Sequence, residues 1–311
     1  HTTGGYNMAI GYGAMDDTDH HDNTLGSTEN IFIGVDSGGG TWANTASNYN
    51  VALGNYTMDA ALDGVTYNVA IGYQTLSTID SGDYNTVVGS QAGLDLTSGQ
   101  VNTLIGFRAG YDIVGGGENT FVGSSAGLLT TAVVGATLIG REAGGGGVIT
   151  TGANHTVAVG YQALYNLTSG ARNTAVGYNA GLGLVDSSDC TLIGYMAGED
   201  IDSLGSAPQE CTYIGSYAGR YLDDGSQNTA LGHGAMEGGT SGGNSCVSNV
   251  AIGVDSLFDI TTGDYNTAAG RFSGGNLTTG SSNTLLGFEA AQSLNIGRNN
   301  IAIGHQALNS D

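Results

Sequence analysis

The amino-acid sequence predicts an all-β fold, a parallel β-solenoid (β-roll) of about seventeen 17-residue coils. Three observations predict it. One short phrase, ARNTAVGYNAGLGL at residues 171–184, returns along the chain as YNTVVGSQAGLDL, VNTLIGFRAGYDI, ENTFVGSSAGLLT and SNTLLGFEAAQSL. Within the phrase, β-branched and aliphatic residues stand in fixed places around a glycine. The chain as a whole holds 56 glycines and one proline, Pro208.

The glycine of the phrase fixes the register. It recurs as Gly11, Gly34, Gly54, Gly72, Gly89, Gly106, Gly123, Gly140, Gly160, Gly177, Gly194, Gly215, Gly232, Gly253, Gly270, Gly287 and Gly304. Ten of the sixteen intervals are 17 residues and the longest is 23. The surplus residues all fit between one phrase and the next, the pattern of loops along one edge of a stack. Positions are numbered here from this glycine. Position −3 is β-branched except at Met8, position −1 is Ile, Val or Leu except at Ala269, and position +3 is always Ala, Ser or Thr. Such columns read as short strands, and 17 residues are too few for a helix pair. Glycine fits a bend, and the small residue after it fits a close approach of backbones. Each repeat is then one coil. At ~4.8 Å per coil, seventeen coils predict a rod roughly 80 Å long, a single continuous repeat domain over residues 1–311.

Position −4 is Asn in thirteen of seventeen copies. Stacked amides bond to those above and below, so this column predicts an asparagine ladder. Its exceptions are Ala136, Thr156, Cys190 and Cys211. The two cysteines fall in consecutive coils, within disulfide range by backbone distance, but parallel side chains favour two buried thiols in asparagine slots.

Position −2 is apolar in every copy, on the opposite side of the strand from its neighbours. A strand apolar on both sides is covered on both sides. The interior of the coil is taken to cover one side, so position −2 is expected on an outward face covered by other copies of the chain, as a trimer. The expected oligomer face is carried by Phe32, Val87, Leu104, Phe121, Leu138, Leu192, Tyr213 and Leu285.

These columns, N-[T/V/I]-x-[I/V/L]-G-x-x-[A/S], resemble the head repeats of trimeric autotransporter adhesins. The 17-residue form with its LTSG- and LTTG-like linkers, Leu96–Gly99, Leu167–Gly170 and Leu277–Gly280, is similar to repeat shafts of phage tail fibres. The resemblance covers essentially the whole chain. It implies a left-handed parallel β-roll, assembly as trimers and a place on a virion or cell surface.

Charge narrows the partners. Six arginines, no lysine and 28 carboxylates leave a net charge of −22. Nucleic acid needs clustered basic residues, and anionic membranes are disfavoured for the same reason. No run approaches the ~18 apolar residues of a membrane helix. The sequence opens with neither an initiator methionine nor a signal peptide, which predicts a processed chain or a segment of a longer one. Placing a second copy after the first gives an interval of 18 from Gly304 to Gly11, so end-to-end stacking keeps the repeat phase.

Candidate chemistry is sparse. Two G-x-S-x-G matches, Gly123–Gly127 and Gly239–Gly243, lack the strand-elbow-helix setting of a serine nucleophile. The acidic stretch MDDTDHHD offers Asp16, Asp17, Asp19 and Asp22 as oxygen ligands for Ca²⁺ and His20 and His21 for a transition metal, against the plainer reading of a solvated loop. Carboxylates at Asp186/Asp189, Glu199/Asp200/Asp202 and Asp223/Asp224 show no repeated pair of the kind a glycosidase needs. Ring residues recur at −5 (Tyr6, Tyr49, Tyr67, Tyr84, Tyr265) and +1 (Tyr12, Tyr73, Phe107, Tyr161, Tyr178, Tyr195, Phe288). They serve either as platforms for surface glycans or, more simply, as coil-to-coil packing. The expected function is a structural extracellular fibre supporting attachment, without catalysis or cofactor. The alternatives are a polysaccharide-degrading tailspike or a carbohydrate-binding adhesin head.

Overall fold

The computed structural model describes residues 4–16, 26–43, 45–201, 209–239 and 243–309. Among them are seventeen β-strands of three residues each, a single 3-10 turn at Thr151–Ala153 and no α-helix. Every strand coincides with positions −3 to −1 of the phrase. Paired strands are parallel and in register, so equal positions meet: Leu104 lies opposite Val87 on one side and Phe121 on the other. This is the parallel β-solenoid that the repeat predicts. The chain divides into two compact units. His1–His155 holds eight strands, Met8–Ile10 to Thr137–Ile139, and Thr156–Asp311 holds nine, Val157–Val159 to Ile301–Ile303.

The side of the strand that faces the core is the reverse of the expectation. Phe32, Val87, Leu104, Phe121, Leu138, Leu192, Tyr213 and Leu285 are all fully buried within the chain's own coils. Positions −3 and −1 point the other way and are partly or fully exposed, as Ile105 is at 39 %. Alternation is preserved, but the coil closes on the −4/−2 side.

Packing explains why. Position −2 and position +4 share the space inside the coil, and their volumes compensate. Where −2 is Ala, +4 is Leu or Met in seven coils, as in Ala52/Met58, Ala70/Leu76 and Ala158/Leu164. Where −2 is larger, +4 is glycine in seven, as in Phe32/Gly38 and Phe121/Gly127. A Cβ on Gly127 would lie 2.7 Å from the Phe121 ring, and one on Gly38 would lie 2.6 Å from Phe32. Two coils pair Ala with Gly, Ala175/Gly181 and Ala268/Gly274, and there neighbouring coils fill the gap. Leu192 and Leu164 would stand 2.7 and 2.8 Å from a Cβ on Gly181. Leu285/Ala291 is intermediate. The interior is thus filled by compensation within a coil or from its neighbours, as close packing requires.

The turns run through left-handed backbone. Positions −5, +2 and +4 have φ near +50 to +68° in every coil, and sixteen of the seventeen −5 residues are not glycine. Left-handed geometry costs an L-residue about 1–2 kcal/mol, and the cross-coil hydrogen bonds on either side offset it. The repeat glycine meets a different constraint. Its carbonyl lies against the glycine of the preceding coil, so a Cβ on Gly72 would lie 2.6 Å from Gly89 O. The hydroxyl at +3 uses the same carbonyl: Thr75 Oγ1 donates to Gly89 O at 2.6 Å and Thr57 Oγ1 to Gly72 O at 2.9 Å.

The asparagine ladder forms as expected. Asn102 Nδ2 donates to Asn85 Oδ1 (3.0 Å) and to Gly116 O (2.9 Å). Asn102 Oδ1 accepts in turn from Asn119 Nδ2 (3.0 Å) and the Asn119 backbone N–H (3.2 Å). Donors and acceptor of each amide are therefore used, one rung binding the next. Where Ala136 interrupts the column, its backbone N–H still donates to Asn119 Oδ1 at 2.9 Å.

Candidate functional site

The feature that sets this surface apart is the outer face of the strands. Positions −3 and −1 contribute thirty-four side chains, and every one is Thr, Val, Ile, Leu, Met or Ala. No charged residue occupies positions −3 to −1 of any phrase, and none falls in a strand among the described residues. The commonest rung pairs a threonine with an aliphatic residue: Thr103 with Ile105, Thr137 with Ile139, Thr191 with Ile193, Thr229 with Leu231. Eight rungs ~4.8 Å apart and about 10 Å wide make a strip of roughly 400 Å² in the first unit, and the nine rungs of the second make slightly more. Threonine supplies position −3 in ten of the seventeen rungs, so the strips are uncharged but only partly apolar. Their extent compares with the ~300–600 Å² of the largest patches on typical monomers, which often mark interaction sites. The strip lies on the side of the strand opposite to the face expected from the sequence.

Aromatic ladders occur at the two positions that flank the strand. Tyr49, Tyr67 and Tyr84 stack with centroids 4.7 and 5.1 Å apart, and Tyr161, Tyr178 and Tyr195 with centroids 5.2 and 5.3 Å apart. In each run the faces of the middle ring are covered by its neighbours. These middle rings therefore pack coil on coil and present edges to solvent, which disfavours them as a stacking platform for sugars. Glu29 beside Tyr49, with Tyr67 next to it, pushes that phenol up, and burial does the same for Tyr195.

Among the described residues charge lies in the turns, where it pairs along columns. Arg172 bonds both oxygens of Asp189 in the next coil, at 2.6 and 2.7 Å, and this guanidinium holds the Asp189 carboxyl below its usual range. Position +5 of three consecutive coils reads Glu199, Arg220 and Glu237, with Arg220 Nε 2.7 Å from Glu199 and Nη1 3.9 Å from Glu237. Other acids are raised on balance. Partial burial, and then the carboxylates of Asp36 and Asp16, push Asp59 up, while burial and Asp223 push up Asp200.

The remaining sequence candidates are less organised. Asp17, Asp19, Asp22, His20 and His21 lie outside the described residues, as does part of Gly239–Gly243. Asp16 stands near Asp36 and Asp59, and no metal-ligand cluster of three or more occurs among the described residues. Ser125, centre of the other G-x-S-x-G, occupies an ordinary left-handed turn, its N–H donating to Phe107 O at 2.8 Å. Cys190 and Cys211 fill asparagine slots as buried thiols, and no disulfide forms among the described residues. Cys211 Sγ takes over the amide's role by donating to Gly225 O at 3.1 Å. The hydrogen bond between the two thiols raises Cys190 and lowers Cys211, and burial pushes Cys246 up to about 12.

The fold and this surface define a β-solenoid repeat protein with an uncharged outer sheet face. No family model and no curated protein matches the chain.

Proposed function

We propose that the chain is a structural fibre protein, working outside the cell on a virion appendage or cell-surface filament, and supporting attachment there. The observation that carries this reading is the charge-free strip. The exposed aliphatic part of the strip is unfavourable in water at about 25 cal/mol per Å², and association of copies through it, most simply as a trimer about a common axis, removes that cost. Each strip offers about half of the ~800 Å² per partner that a stable interface uses. Stiffness follows from the amide and backbone ladders, which tie each coil to the next.

The test is the mass of the full chain in solution, by light scattering. The account expects a multiple of the 31.2 kDa chain mass. Ile105→Asp on the strip is expected to return it to a folded 31.2 kDa monomer. A wild-type chain that stays at 31.2 kDa across micromolar concentrations removes the reading.

A further inference from the structure

The second unit carries a notch that the repeat itself does not call for. Position +5 holds Phe258, Gly275 and Gln292 in three consecutive coils, so the ladder of side chains is interrupted for one rung. A cavity of about 240 Å³ results, floored by Gly275 and walled by Phe258, Gln292, Phe272, Asp255 and Asn276. Glycine is not needed at 275 for the fold. Its backbone is not left-handed, and a Cβ there would meet nothing closer than Phe272 O at 3.4 Å. Gly145, at the same position in the first unit, differs: its Cβ would lie 2.7 Å from Ser125 O. The glycine at 275 relieves no clash and leaves a cavity open.

The lining combines two kinds of group. Phe258 and Phe272 offer phenyl rings, and the Arg271 guanidinium sits 4.6 Å from the Phe272 ring centre. The side-chain amides of Asn276 and Gln292 make no hydrogen bond to other described residues. Asp255, 3.8 Å from His233 Nδ1, adds a carboxylate acceptor. Apolar walls with a few convergent polar groups are the usual form of a small-ligand site. Phe258 and Gln292 are two coil spacings apart, ~9.6 Å between backbones. After van der Waals contact on each side the slot admits one saturated six-membered ring.

We propose that this notch binds a neutral pyranose. The C–H face of the sugar lies against the phenyl rings. Its hydroxyls bond to the amides of Asn276 and Gln292, each a donor and an acceptor, and donate to Asp255. Acidic sugars are disfavoured by Asp255 and by the net charge of −22. Binding here does not depend on the fibre reading, since the notch lies in the turns of three adjacent coils of one unit.

The test uses the full chain and the methyl pyranosides of glucose, galactose and mannose, followed by saturation-transfer NMR. At least one is expected to bind with a dissociation constant of about 1 mM, the range for a ligand of roughly a dozen heavy atoms. Gly275→Leu fills the slot, and Gln292→Ala removes one amide from a half-buried surface position. Each is expected to weaken binding at least ten-fold while leaving the thermal midpoint within a few degrees of wild type. Transfer to none of the three pyranosides overturns the proposal. So does transfer of equal strength in a folded Gly275→Leu. Because the chain's mass is read separately, failure of sugar binding and failure of self-association are distinguished.

Discussion

Exchange of volume between positions −2 and +4 makes a quantitative prediction at Phe121 and Gly127. Phe121 is fully buried, and Phe→Ala at such a site costs about 3–5 kcal/mol. Gly127→Leu alone drives a side chain into the Phe121 ring, where even a Cβ would be 2.7 Å away. Overpacking of this kind costs about 1–3 kcal/mol, with roughly 1–2 kcal/mol more for a left-handed leucine. Independent effects would sum to roughly 5–10 kcal/mol. The double variant, however, recreates the Ala/Leu pair found at Ala70/Leu76 and Ala158/Leu164, so its cost is expected to fall to about 1–3 kcal/mol. The coupling energy is then about 2 kcal/mol or more, above the ~0.5 kcal/mol scatter of independent sites. Guanidinium unfolding of the four proteins, followed by circular dichroism, measures it. A double variant as unstable as the sum of the single variants would refute shared filling of the interior.

Three further outcomes follow from the ladders and the buried groups. Asn102→Asp removes both amide donors and sets a carboxylate against Asn85 Oδ1 and Gly116 O. It is expected to lower stability by about 3 kcal/mol or more, and Asn102→Cys, a substitution the chain itself uses at 190 and 211, by less. The thermal midpoints give the order. Asp59, Asp112, Asp200, Asp259 and Glu237 are all raised, in each case by burial first. A carboxyl raised in the folded state contributes stability that is complete below its unfolded value near 4 and is lost as pH climbs through the folded value. Asp189, lowered by Arg172, opposes this with a single exposed pair. The midpoint is therefore expected to rise on acidification from pH 7 toward pH 4, and a fall over that range would contradict the assignment. The thiols of Cys190, Cys211 and Cys246 are buried and are expected to resist a maleimide until the chain unfolds. Rapid labelling of the native chain would count against that burial.

Most of the fold could be read from the residues, because a period repeated seventeen times averages out local ambiguity. The strand at positions −3 to −1, the glycine bend and the asparagine ladder all follow from single columns. The facing of the strand did not, because both of its sides are apolar and a single column carries no sign. The information lay in a pair of columns: Phe32 with Gly38 and Ala52 with Met58 show that −2 and +4 share one space. Left-handed turns at −5 were hidden for another reason. Tyr67, Glu118, Asp189 and Ser248 adopt them without being glycine, their N–H groups held by cross-coil hydrogen bonds that no local propensity reports. The notch at Gly275 was invisible because a glycine among 56 carries no mark of its own. Only its ordinary backbone and open Cβ position distinguish it.

The most direct measurement is a cross-section of the assembled particle by cryo-electron microscopy, with map detail sufficient to separate coils. The account predicts more than one coil in the section, with Ile105 and Ile139 of each turned toward its partners and the Tyr67 and Glu199 turns outside. A lone coil whose threonine–isoleucine face lies in solvent would contradict it.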